Sequence, residues 1–234
     1  MPSGHGVPEF KPTDALNVSI YPDILSMGGL AAAIKKIAGE VGINIPVIDT
    51  QAGAGRYNTA DISSNRGIIS ILLGIEKRIF SVRITGNTHV WASGETADLH
   101  ALVRVIDAWI NGASLKELKE RFPFMDYDRM AEAYENGDPA QVQWELLLED
   151  RSNAHIKILL MALRSRKEFR NCFPYISHGV VRLARDPFSR SMGEVWITPL
   201  PVGNYRIEIP GEIELKTELD SMDAAIEAAA SYLS

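Results

Sequence analysis

Apolar residues at strand and helix spacings divide the chain into a strand-rich start, a helical middle and a strand-rich end. Leu30, Ile34 and Ile37 recur at helical spacing between flanking glycines and predict a helix over residues 28–42. Gly86-Asn87 is a two-residue turn signal between two strands. Strands are predicted in this part of the chain at 46–49, 61–64, 67–73, 78–84 and 88–92, with a surface loop at 51–58.

The middle of the chain carries the clearest helix signals. Residues 96–111 place Leu99, Leu102 and Ile106 on one face, which is typical of an amphipathic helix. Ser114 and Glu117 have the spacing of a capping box, so a short helix is predicted to begin after Ser114. In the same way, Asp138, Pro139 and Gln141 predict the start of the next helix, with Asp138 at the N-cap.

The pattern returns to short, partly alternating segments after Pro174. These predict an antiparallel meander with strands at 180–183, 194–198, 205–209 and 212–217. Asp220 is predicted to cap a final helix over residues 222–233. The fold class is therefore α+β, with antiparallel strand groups at both ends that flank a central helical segment, and a C-terminal helix.

The same pattern predicts the domain organisation. We expect a flexible leader over residues 1–20, an α+β lobe over 21–125, and a helical segment with a C-terminal sheet and helix over 126–234. The two strand groups belong to two lobes or to one interrupted sheet of a continuous domain, and both alternatives stay open.

Composition indicates an ordinary soluble chain of 234 residues with a formal net charge of −6. Its longest apolar runs are far shorter than the roughly 20 residues that span a bilayer, so no membrane partner is expected. The single cysteine, Cys172, excludes an internal disulfide and a multi-cysteine zinc site, and the cytoplasm is the expected compartment. The histidines have no metal-ligand spacing, so we expect neither a metal nor a cofactor.

Charge changes sign abruptly in the second half of the chain. Residues 126–150 hold eight acidic and one basic residue, whereas residues 151–190 hold nine basic and two acidic residues. The basic segment either attracts an anionic partner or forms the solvated face of a helix that pairs with the acidic segment before it. A nucleic-acid partner is not favoured, because the protein is acidic overall and the basic segment lacks interleaved aromatic residues.

The densest group of reactive side chains lies inside the basic segment. Cys172, Ser177 and His178 are the candidate catalytic residues, because neighbouring positive charge would lower the thiol pKa and a nearby histidine could act as a base. Two arguments oppose catalysis: adjacent strand residues point to opposite faces, and a lone cysteine is commonly a buried apolar residue. The candidate binding residues are Arg164, Arg166, Lys167, Arg170, Tyr175, His178 and Arg182.

Several stretches resemble an uncharacterised bacterial domain family, common in actinomycetes, that is labelled natural product biosynthesis protein. The stretches are 21–24, 30–33, 112–118, 121–124, 173–178 (FPYISH), 198–206 (TPLPVGNYR) and 220–233. The family tends to have a bulky aromatic residue after the Ser-His step, where this chain has Gly179. The resemblance implies an α+β fold and supplies no catalytic residues.

Two functions fit these observations. The first is a non-catalytic cytoplasmic binding protein with a protein partner, most concretely an immunity protein that neutralises a bacterial toxin. The alternative is an accessory protein or enzyme in natural product biosynthesis that acts on an anionic small molecule, with Arg170 or Arg182 as the anion clamp. A homo-oligomer fits either function.

Overall fold

The computed structural model describes residues 17, 19–46, 48–50, 55–188, 193–210 and 216–233. The chain divides into two compact units, Met1–Glu132 and Ala133–Ser234. The sequence prediction places residues 126–132 with the second lobe, but the structure places them with the first unit, because Met125 and Asp126 pair with its sheet. Of the predicted leader, residues 17, 19 and 20 are described and form a turn before the first helix, and the rest lies outside the described residues.

The described part of the first unit consists of helices and one antiparallel sheet, and most of its strands follow one another without a helix between them. Its helices are α1 (Pro22–Ser26), α2 (Leu30–Glu40), α3 (Gly55–Asn58), α4 (Leu99–Ile110) and α5 (Leu115–Arg121). Its strands are β1 (Ile48–Asp49), β2 (Thr59–Ser64), β3 (Gly67–Leu73), β4 (Phe80–Thr85), β5 (Val90–Thr96) and β6 (Met125–Asp126). Helix α6 (Arg129–Asn136) crosses the boundary between the two units.

The strands β1 to β6 follow one another in sequence order in an antiparallel meander. Alternate residues such as Ile69, Ile71 and Val82 point inward, where they pack with apolar residues of α2 and α4. Arg66 ties the β2–β3 turn to the end of α4, because it donates to the Ala113 carbonyl at 2.7 Å and its guanidinium stacks 3.7 Å from the Trp109 ring.

The second unit consists of a helical segment, a second antiparallel sheet and a final helix. Its helices are α7 (Pro139–Glu149), α8 (Lys157–Ser165) and α9 (Met222–Leu233), with short 3₁₀ turns at Arg151–Ile156, Lys167–Phe169 and Pro201–Gly203. Its strands are β7 (Phe173–Ser177), β8 (Val180–Ala184), β9 (Glu194–Pro199), β10 (Tyr205–Glu208) and β11 (Lys216–Leu219). These strands pair in sequence order, with β7 at one edge.

One face of the second sheet builds the core of this unit. Val181, Leu183, Val195, Ile197 and Ile207 point toward α8 and α9 and are buried. The alternate residues of the same strands form the opposite face, which we call the outer face of the second sheet. The α+β class is therefore confirmed, and within the described residues the strand groups form two separate sheets.

Several local predictions were wrong at the ends of elements. The final helix is capped by Ser221 instead of Asp220, because the Ser221 hydroxyl accepts from the amide of Ala224 at 3.3 Å. Residues 55–58 of the predicted loop are helical, while residues 51–54 lie outside the described part of the chain. The capping box of Ser114 and Glu117 is confirmed, since both reciprocal hydrogen bonds are present.

Candidate functional site

The structure separates Cys172 from the Ser-His pair. Cys172 precedes strand β7 and is 3% exposed, whereas Ser177 and His178 lie at the other end of that strand. Burial raises the pKa of the Cys172 thiol above its ordinary value, and the positive charge of Arg185 opposes this effect only in part. The expected lowering of the thiol pKa by basic neighbours is therefore wrong for this cysteine.

Ser177 and His178 do contact each other, although they are adjacent in sequence. The Ser177 hydroxyl lies 3.0 Å from Nδ1 of His178. Strand alternation does not separate the two side chains, because His178 lies outside the strand. Its φ is 53°, and with Gly179 it forms the turn between β7 and β8. His178 is exposed at the tip of this hairpin, and no carboxylate among the described residues is hydrogen-bonded to it.

Five of the seven predicted binding residues fall into two groups. Arg164 pairs with Glu145 at 3.4 Å, and Arg166 pairs with Glu227 at 2.8 Å. The hydrogen bond that Arg166 donates to the Glu227 carboxylate is the main reason why the pKa of Arg166 is raised. The Arg164 pair links the basic segment to the acidic one, so part of the charge inversion is internal complementarity. Lys167 is exposed beside this group.

Tyr175 and Arg182 belong to the other group, which lies on the outer face of the second sheet. Tyr175 on β7 is opposite Arg182 on β8, and Arg182 is opposite Trp196 on β9. The three side chains therefore form one row across three strands, which we call the Tyr-Arg-Trp row. The Arg182 guanidinium lies 4.2 Å from the Trp196 ring and 5.5 Å from the Tyr175 ring.

A buried carboxylate holds this row in place. Glu194 is 3% exposed and begins strand β9. Its Oε1 accepts from the Tyr175 hydroxyl and from Nε1 of Trp196, the latter at 2.6 Å. Burial is the main reason why the pKa of Tyr175 is raised above its ordinary value, and the hydrogen bond to Glu194 is the second. Nε of Arg182 is buried and has no hydrogen-bond partner in the structure.

A cleft of about 560 Å³ lies in the second unit, beside the N-terminus of α7. Asp138 stands at the predicted N-cap, but its side chain makes no capping hydrogen bond. Arg170, alone among the predicted binding residues, lines this cleft. The walls are formed by Tyr134, Gly137, Asp138, Pro139, Ala140, Gln141, Arg170, Asn171, Phe173, Arg185, Pro187 and Phe188.

A second depression, of about 520 Å³, lies on the first sheet. Its polar walls come from serines and charged residues on the face of the sheet away from the core, and Asp61, Ser70, Arg83 and Ser93 form one row across β2 to β5. This surface was not predicted from the sequence. The polar positions that alternate with the core residues of these strands were the available signal.

No family model, no curated protein and no solved structure matches this chain. Within the part of the chain that the structure describes, no group of three or more His, Cys, Asp or Glu residues could hold a metal ion. None of the described helices is long and apolar enough to cross a membrane. The function is therefore inferred from the surfaces described above.

Proposed function

We propose that this protein is a non-catalytic binding protein that contacts a protein partner through the Tyr-Arg-Trp row. The row carries the proposal, because Trp, Tyr and Arg are the residues most enriched at energetic hot spots of protein interfaces. Glu194 fixes Tyr175 and Trp196 through hydrogen bonds, so less side-chain freedom is lost when a partner binds. A complementary partner offers a flat apolar group to the rings and an acceptor to Arg182.

The candidate catalytic residues support binding over catalysis. A thiol with a raised pKa supplies little thiolate at neutral pH, which disfavours Cys172 as a nucleophile. Ser177 and His178 have a workable contact distance, but a serine nucleophile also needs a third group that orients the histidine.

The most concrete form of the proposal is a cytoplasmic immunity protein that neutralises a toxin. The net charge of −6 and the segregation of charge along the chain suit electrostatic attraction of a complementary protein. The single cysteine suits a reducing compartment. The gene next to this one in the genome is the first source of a candidate toxin.

The test is the affinity of the purified protein for the product of that neighbouring gene. We expect Trp196→Ala to weaken binding by at least about 30-fold, the effect of losing a hot spot of about 2 kcal/mol. Arg206→Gln is the matched control, because Arg206 lies on the same face but pairs with Glu218 at 2.7 Å. Equal affinities of the wild type and Trp196→Ala, or absence of binding by the wild type, would contradict the proposal.

A further inference from the structure

The cleft beside α7 combines positive charge with aromatic walls. Arg170 and Arg185 line it together with Phe173 and Phe188. Phe188 is 55% exposed, so its ring is accessible to a ligand in the cleft. A volume of about 560 Å³ lies within the range of small-molecule sites. These walls suit a ligand with one anionic end and one apolar end.

The two arginines differ in how they are held. Arg185 donates through Nη2 to the carbonyl of Leu233, which fixes its guanidinium at the wall of the cleft. Arg170 is exposed in the turn before β7. A guanidinium offers paired N–H donors that match the two oxygens of a carboxylate.

One negative charge opposes the two arginines. Asp138 lines the cleft at the N-cap of α7, and its carboxylate is not used for capping. The lining still carries a positive excess, to which the positive end of the α7 dipole adds. Because the two charges are opposite, we expect loss of the Asp138 charge to raise the affinity for an anionic ligand and loss of the Arg170 charge to lower it.

We propose that this cleft binds a small organic acid, with its carboxylate between Arg170 and Arg185 and an aromatic or branched apolar group against Phe173 and Phe188. This site is distinct from the Tyr-Arg-Trp row, and the proposal does not rest on protein binding there. The affinity of Trp196→Ala for the acid is therefore unchanged if both proposals hold.

The test is a titration of the ¹⁵N-labelled full chain with 3-phenylpropionate, followed by amide chemical shifts. We expect saturable shifts at Gly137, Gln141 and Asn171, which line the cleft. The neutral isostere 3-phenylpropanamide is expected to bind at least about tenfold more weakly, because it loses the charge-assisted hydrogen bonds. Inorganic phosphate, which lacks the apolar group, is also expected to bind more weakly than the acid.

Three variants decide the assignment. Arg170→Gln is expected to weaken 3-phenylpropionate about tenfold, whereas Lys167→Gln, an exposed cation outside the cleft, leaves the affinity unchanged. Asp138→Asn is expected to strengthen the binding of 3-phenylpropionate, because it removes a negative charge from the cleft. Asparagine remains a good N-cap residue. Equal binding of acid and amide, equal effects of the Arg170 and Lys167 variants, or failure to saturate at millimolar concentrations would overturn the proposal.

Discussion

Glu194 illustrates how a single residue organises a surface. A carboxylate that is withdrawn from water is costly unless hydrogen bonds compensate it. Here one oxygen of Glu194 accepts from both Tyr175 and Trp196, and the charge of Arg182 lies across the Trp196 ring. The hydrogen bonds to one buried carboxylate therefore fix the positions of two side chains on the outer face, Tyr175 and Trp196.

The Tyr175 hydroxyl makes the free energy of unfolding depend on pH. Its pKa is raised in the folded protein, so the unfolded chain loses this proton first as the pH rises above the ordinary value of 10.0. The contribution of Tyr175 to stability is complete below pH 10 and declines as the pH rises toward the folded pKa. We expect the free energy of unfolding of wild type, relative to Tyr175→Phe, to fall between about pH 10 and pH 12.

Urea unfolding at several pH values measures this difference. The remaining tyrosines are common to both proteins, so their titration cancels in the comparison. A difference that stays constant across this range, or grows with pH, would show that the pKa of Tyr175 is not raised in the folded protein.

At the scale of elements, the β7–β8 hairpin is held by an unusual turn. His178 and Gly179 both have positive φ, at 53° and 77°. Turns of this kind match the twist of the two strands but favour glycine and asparagine. Gly179 is therefore the residue type that this backbone conformation favours.

Gly179→Ala is expected to destabilise the protein by about 1 kcal/mol, because an L side chain in the left-handed region is strained. An added Cβ meets no atom within 4 Å, so the cost comes from the backbone alone. Gly39→Ala is the control, because Gly39 also has open space but lies within helix α2. There alanine stabilises by roughly 0.5–1 kcal/mol. This account would be contradicted if chemical denaturation showed that both variants change the free energy of unfolding in the same direction.

Hydrophobic periodicity predicted the elements that bury one face along their whole length. Strand β3 and helix α9 have the bounds that the sequence predicted, because their apolar residues repeat without interruption. Strand β7 was missed because Pro174 interrupts its pattern. The structure explains this residue: β7 is an edge strand, where a missing backbone N–H is tolerated.

At the scale of the whole molecule, each unit has its own hydrophobic core. The first core contains residues up to Ala131, and the second begins at Trp144. The Tyr-Arg-Trp row is formed within the second unit by three consecutive strands, β7, β8 and β9. Glu194 is 19 residues from Tyr175, so the row depends on strand register, which the sequence pattern did not reveal.

Separate cores predict separate responses to core substitutions. Leu163 is fully buried in the second unit, so Leu163→Ala is expected to cost about 2–5 kcal/mol. Amide exchange should then become faster in strands β8 and β9, while exchange in β3 and β4 is unchanged. Ile84→Ala, in the first core, is expected to produce the reverse pattern. Equal acceleration in both sheets after either substitution would show one cooperative core.

Pro174 also has a consequence for self-association. The free edge of an antiparallel sheet presents unpaired N–H and C=O groups on which a strand of another chain can add. In β7 the proline removes one donor from this row, and α7 contacts the same strand. The second sheet is therefore protected at this edge against aggregation by strand addition, and substitution of Pro174 by a residue with an N–H would weaken that protection.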